Sequence, residues 1–118
     1  MLLSKDQIFS AEDLPYRDIE VPEWHGTVRV KTMTGMEREA FEGSLWDRSG
    51  ETPIYKPEHF RAKLLSKCIV DEKGERLFSD KDIEKLSGKS AKALDRLFDA
   101  AQEINGISRE EQKAAKKK

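Results

Sequence analysis

Residues 19–42, IEVPEWHGTVRVKTMTGMEREAFE, constrain the fold more than any other stretch of this chain. Ile19 and Val21 alternate with charged residues, the two-residue period of a strand with one buried face. Pro22 to Gly26 supply turn chemistry, with Gly26 free to adopt positive φ. Val28 and Val30 alternate with Thr27, Arg29 and Lys31 and make the return strand. Thr34 and Glu37 then form a capping box that starts a helix with no intervening loop. A two-stranded hairpin alone is marginal in water. Other elements must therefore cover Ile19, Val21, Val28 and Val30, which points to an α+β layer, mostly helical.

The rest of the chain supplies those elements. Ser4 and Gln7 make a capping box for a short helical turn, with Leu3 and Ile8 as a hydrophobic staple and Pro15 as its limit. The helix begun at Gly35 is expected to reach about residue 48, with Met36, Ala40, Phe41 and Leu45 on one face. Gly50, Pro53 and Pro57 mark residues 49–57 as loop. A helix over about residues 58–69 carries Phe60, Leu64, Leu65, Cys68 and Ile69 as its apolar stripe. Residues 69–78 pair apolar ends around a charged turn holding Gly74, a short second hairpin. Ser79 caps a short helix over residues 80–86, stopped at Gly88. Ser90 caps the strongest helix, residues 91–105, with Leu94, Leu97, Phe98, Ala101 and Ile104 at helical spacing and Gly106 as its stop. The reading is one α+β domain over residues 1–107, with an N-terminal hairpin and a short second hairpin packed against about four helices. Residues 108–118 are read as a Lys-rich, mobile tail.

Composition narrows the function classes. Of the 118 residues, 36% are hydrophobic and 38% charged, a thin core under a heavily solvated surface. Lys113, Lys116, Lys117 and Lys118 crowd into the last six residues, so the remaining chain carries 18 basic and 23 acidic residues. That acidic body is a poor partner for nucleic acid. Cys68, the single cysteine, forms no intramolecular disulfide and falls on an apolar helix face, as a buried, inert thiol does. The opening Met1-Leu2-Leu3 is too short for a signal peptide, and no stretch has the length of a membrane span, so a cytoplasmic protein is expected.

Catalytic and metal-binding patterns fail on spacing. His25 and His59 have no ligand partner at helical spacing. Gly88-Lys89-Ser90 ends like a phosphate-binding loop, but Ile83 stands where the leading glycine belongs. The turn at residues 71–75 has Lys73 where a calcium loop needs an oxygen ligand. The serines are accounted for as helix caps. The chain therefore reads as a non-enzymatic binding protein with no metal and no cofactor. Its candidate contact residues are Trp24 in the hairpin turn, Trp46 near a helix end, and Ile54 and Tyr55 in the Pro-bounded loop, because large aromatics in such places are enriched at interfaces. A rival reading takes the helices at residues 80–86 and 91–105 as a helix-turn-helix that binds nucleic acid. Asp95, Asp99 and Glu103 on the second helix oppose it, since acids repel phosphates.

Three blocks carry a family resemblance. They are Leu2-Leu3-Ser4-Lys5-Asp6-Gln7-Ile8 before an acidic stretch; Val21-Pro22-Glu23-Trp24 with Gly26-Thr27-Val28-Arg29-Val30, running into Thr34-Gly35-Met36-Glu37-Arg38; and residues 70–79 followed by Ala93-Leu94-Asp95-Arg96-Leu97. In this order the chain resembles the small, short-form tail assembly chaperones of siphophages and related prophages. The resemblance implies a protein of the host cell cytoplasm, absent from the mature virion. Its partners would be the tape measure protein, which it keeps soluble, and the tail tube protein, whose subunits it helps recruit. It also implies a longer form made by ribosomal frameshifting, and Lys116-Lys117-Lys118 is compatible with A-rich, slippery codons. The family carries no catalytic signature to transfer.

Overall fold

A computed structural model describes residues 1–107. Its centre is a three-stranded antiparallel sheet in the order β1 (Tyr16–Val21), β2 (Gly26–Lys31), β5 (Ile69–Val70). The hairpin register places Ile19 opposite Val28 and Arg17 opposite Val30. Val21 and Val30 are fully buried, so the alternation read from the sequence does define the inner face. Arg29 lies on the other face, paired with Asp18 through both guanidinium branches and stacked 4.0 Å from the Tyr16 ring.

The turn differs from expectation. Pro22–Trp24 form one 3-10 turn, closed by His25 N–H donating to the Pro22 carbonyl. The left-handed residue is His25, at φ 55°, and Gly26 is already in β2. Proline at the first position of the turn shifts the reversal one residue earlier than glycine alone would place it.

Capping boxes at Ser4, Thr34 and Ser79 all form and start α1 (Lys5–Ser10), α2 (Gly35–Gly43) and the 3-10 turn Asp80–Asp82 that runs into α4 (Ile83–Ser87). α2 ends five residues before the expected limit. Ser44 Oγ donates to the Phe41 carbonyl, and Trp46–Asp47 leave the helix as β3 to pair with β4 (Ile54–Tyr55). The stretch 49–57 thus contains a strand where only loop was expected. Of the α2 stripe, Phe41 and Leu45 are buried, while Met36 and Ala40 stay exposed. α3 (Phe60–Cys68) follows, then β5.

Residues 69–78 do fold back on themselves, but only through a single Val70–Arg76 bridge. The main partner of β5 is β2, with Val30 opposite Ile69. This third strand relieves the hairpin of the marginal stability noted above. α5 (Ala91–Ile104) packs across the inner face and against α3, burying Ala93, Leu94, Leu97, Phe98 and Ala101. Gly106, at φ 68°, terminates it, and Ile107 N–H donates back to the Gln102 carbonyl. The expected cap at Ser108 and the Lys-rich tail lie outside the described residues.

Cys68 is fully buried, and burial pushes its thiol up to about 12. Thiolate is the reactive form. The native chain should therefore resist alkylation under conditions where the urea-unfolded chain reacts to completion. Mass spectrometry after a timed iodoacetamide pulse checks this, and stoichiometric labelling of the native protein would contradict the packing.

Candidate protein-binding groove

Three segments meet beside the hairpin turn. The 3-10 turn presents Trp24, the segment before α4 brings Leu77 and Phe78, and α4 contributes Leu86. Together they line an open apolar groove of about 440 Å³, with Asp82, Lys85 and Lys89 on its rim. Leu86 is buried and forms part of the floor, whereas Leu77 keeps 54% of its surface exposed. Leu77 is fixed through its backbone, whose N–H donates to the Ile69 carbonyl at 3.1 Å. The side chain thus faces solvent while the main chain is tied to β5.

The turn that carries Trp24 is anchored by an ion pair at the neighbouring Glu23. Arg96 of α5 donates to Glu23 Oε2 at 3.0 Å, tying the turn to the core helix. The Arg96 guanidinium keeps the Glu23 carboxyl below its usual range. The other carboxylate oxygen, Oε1, and Arg96 Nε are buried without a partner among the described residues.

Trp46 and Tyr55 form a separate aromatic pair on the β3–β4 strands, with Ile54 on the opposite face. The Trp46 and Tyr55 rings stand 5.2 Å apart, both half-buried against the core, and Ile54 is exposed. Burial raises the Tyr55 hydroxyl, which has no partner among the described residues. Asp47 Oδ1 accepts from Ser49 N–H at 3.0 Å and from Ser49 Oγ at 2.6 Å, and Lys56 lies 3.4 Å from the other oxygen. These bonds, the Ser49 hydroxyl foremost, hold the Asp47 carboxyl at about 2. The four candidate residues therefore divide: Trp46 and Tyr55 stand together, Ile54 turns to the opposite face of β4, and Trp24 lies in the groove.

Sequence reasoning missed Leu77, Phe78, Leu86, Lys85 and Lys89 as a site. One signal was present. Leu77 and Phe78 are adjacent, and two neighbouring apolar residues in extended chain cannot both face one core.

A second, larger hollow, of about 530 Å³, is open and lined by polar and apolar groups alike; His59 Nδ1 meets Ser87 Oγ there at 2.7 Å. No group of three His, Cys, Asp or Glu side chains could hold a metal among the described residues. No helix there is long and apolar enough to cross a membrane. α5, the recognition helix of the rival reading, buries seven of its 14 residues in the core.

The comparisons agree with this architecture. A family model described as phage tail assembly chaperone matches residues 4–118. The solved structure of the bacteriophage HK97 tail assembly chaperone superposes with a TM-score of 0.59, covering 87% of this chain and 94% of that one at 16% identity. At that identity the likeness speaks for the fold. No curated protein matches the sequence.

Proposed function

The chain belongs to the phage tail assembly chaperone family, and from that premise we propose that it binds the tape measure protein and keeps it soluble. It acts in the host cytoplasm, helps recruit tail tube subunits, and is left behind when the virion is complete. It does no catalysis. A longer, frameshifted form of the chain is a further partner in this reading.

The observation that carries the reading is the Trp24 groove. A long helical client exposes apolar side chains at i, i+3, i+4 and i+7, and such a stripe docks into an apolar groove on a soluble body. Leu77 and Trp24 offer the apolar contact, and Lys85 and Lys89 offer charge at the edge. Trp46 and Tyr55 provide a second contact for a client long enough to reach both.

Co-expression with the tape measure protein of the same genome tests this. The client should become soluble and co-purify. Leu77→Asp should weaken capture by about 30-fold, the loss expected when a buried contact worth about 2 kcal/mol is removed. A client that stays insoluble with both the short chain and any longer form would overturn the reading.

A further inference from the structure

The Trp24 groove has a charge as well as a shape. Its apolar wall is Trp24, Leu77, Phe78 and Leu86, and its charged lining is Asp82, Lys85 and Lys89. Asp82 is committed to its own chain. Its Oδ2 accepts from Ser79 N–H at 2.9 Å and from Ser79 Oγ at 3.3 Å, in the capping box that leads into α4. Glu23, next to Trp24, is matched by Arg96 at 3.0 Å, and Lys92 adds positive charge beside it. Lys85 and Lys89 are the charges left over, and neither enters an ion pair among the described residues.

Both lysines are fixed through the backbone at the end of α4. Gly88 N–H donates to the Lys85 carbonyl and Lys89 N–H to the Leu86 carbonyl, each at 3.1 Å. All the charged lining residues come from one segment, 82–89, so the basic charge runs along one side of the groove.

The volume sets the size of what fits. A cavity of roughly 150 Å³ encloses one benzene ring, so a groove of about 440 Å³ takes about three large apolar side chains. Side chains at i, i+4 and i+7 lie on one face of a helix, over two turns. Seated on that face, a helix lays one flank along Lys85 and Lys89. Carboxylates on the flank meet opposite charge there, and lysines meet like charge. The body around the groove is acidic, so an acidic helix is attracted at this rim and repelled elsewhere.

We propose that the groove selects its occupant by charge: the segment it takes is an acidic amphipathic helix of the client, apolar on one face, with carboxylates on the flank that passes Lys85 and Lys89. The proposal rests on the client-binding reading above and narrows it to one class of segment.

Two designed, tryptophan-free helices test it. They share leucines at i, i+4 and i+7 and differ only in the flanking residues, glutamate in one and lysine in the other. Titrated against Trp46→Phe, each is read by the emission of Trp24, then the sole tryptophan. The acidic helix should bind about tenfold tighter at low salt, the scale of two exposed ion pairs replacing two repulsions. The preference should fall below about threefold near 1 M salt, where the screening length is about 3 Å. Calorimetry on the wild-type chain should give the same order. Lys85→Glu with Lys89→Glu, melting as the parent does, should invert it. Equal affinities, a preference for the basic helix, or an order that survives the charge reversal overturns the proposal. Uptake of neither helix overturns it as well and leaves the groove to a different occupant. The two readings fail separately. If the client co-purifies while the helices bind without charge preference, the charge assignment alone falls. If the client stays insoluble while the acidic helix binds beside Trp24, the ligand class stands and the client reading falls.

Discussion

Replacing Phe98 by alanine should lower the free energy of unfolding by about 3–5 kcal/mol, the range for deleting a buried aromatic side chain. Phe98 is 6% exposed and sits where three helices meet. Its ring lies 5.6 Å from Phe60 of α3, and Phe60 lies 5.4 Å from Phe41 of α2, both edge to face. Such pairs add about 0.5–1.5 kcal/mol each beyond their buried area. Phe98 also carries the Arg61 guanidinium 5.5 Å from its ring centre. A domain of this size is stable by only about 5–15 kcal/mol. The variant should therefore melt roughly 10–20 °C lower. Phe98→Leu, which refills most of the space, should recover more than half of the loss. Urea unfolding of the three proteins measures this. A cost below about 1 kcal/mol for the alanine variant would mean the Phe41–Phe60–Phe98 contact is not the joint between α2, α3 and α5.

Why Phe98 was legible and the groove was not follows from the range of the signals. The α5 stripe repeats at the helical period over four turns, so Leu94, Leu97, Phe98 and Ala101 were assigned inward from spacing alone, and all four are buried. Capping boxes were legible because each is complete within four residues: Ser4–Gln7, Thr34–Glu37 and Ser79–Asp82. Contacts between distant segments leave no such local trace. β5 joins β2 because Ile69 completes the inner face beside Val30, a choice made by the assembled core. β3 and β4 are two residues each, too short for a period, and lie amid glycine, serine and proline that read as loop. The groove requires the hairpin turn, the segment before α4 and α4 itself to converge. Trp24 could be singled out for its type and its turn, but its neighbours could not.

Asn105 belongs to the same illegible class, and its removal should cost about 2–4 kcal/mol. In the sequence it is only the residue before a helix-stopping glycine. In the fold its side chain joins α5 to the β2–α2 junction. Oδ1 accepts from Met33 N–H at 2.7 Å. Nδ2 donates to the Ala101 carbonyl at 2.8 Å and points at the Lys31 carbonyl and Cys68 Sγ at 3.5 and 3.6 Å. Met33 is buried, so Asn105→Ala strands its N–H away from water, at about 1–3 kcal/mol for that group alone. The remaining loss comes from the carbonyls that shared Nδ2 and from the space left beside Cys68. Asn105→Asp makes a sharper test of direction. A carboxylate still accepts from Met33 N–H, but it has no hydrogen to give and would face the Ala101 and Lys31 carbonyls with like charge. The aspartate variant should therefore be destabilised too, and should recover as acid protonates the side chain and restores a donor. By contrast, Arg38 donates to the backbone carbonyl of Asn105, a bond that neither substitution removes. Hydrogen exchange separates the contributions. In Asn105→Ala, the Met33 amide should lose protection by more than the amides of β1 and β2. Equal loss everywhere would mean that the side chain only fills space, and that the capping of Met33 N–H contributes nothing of its own.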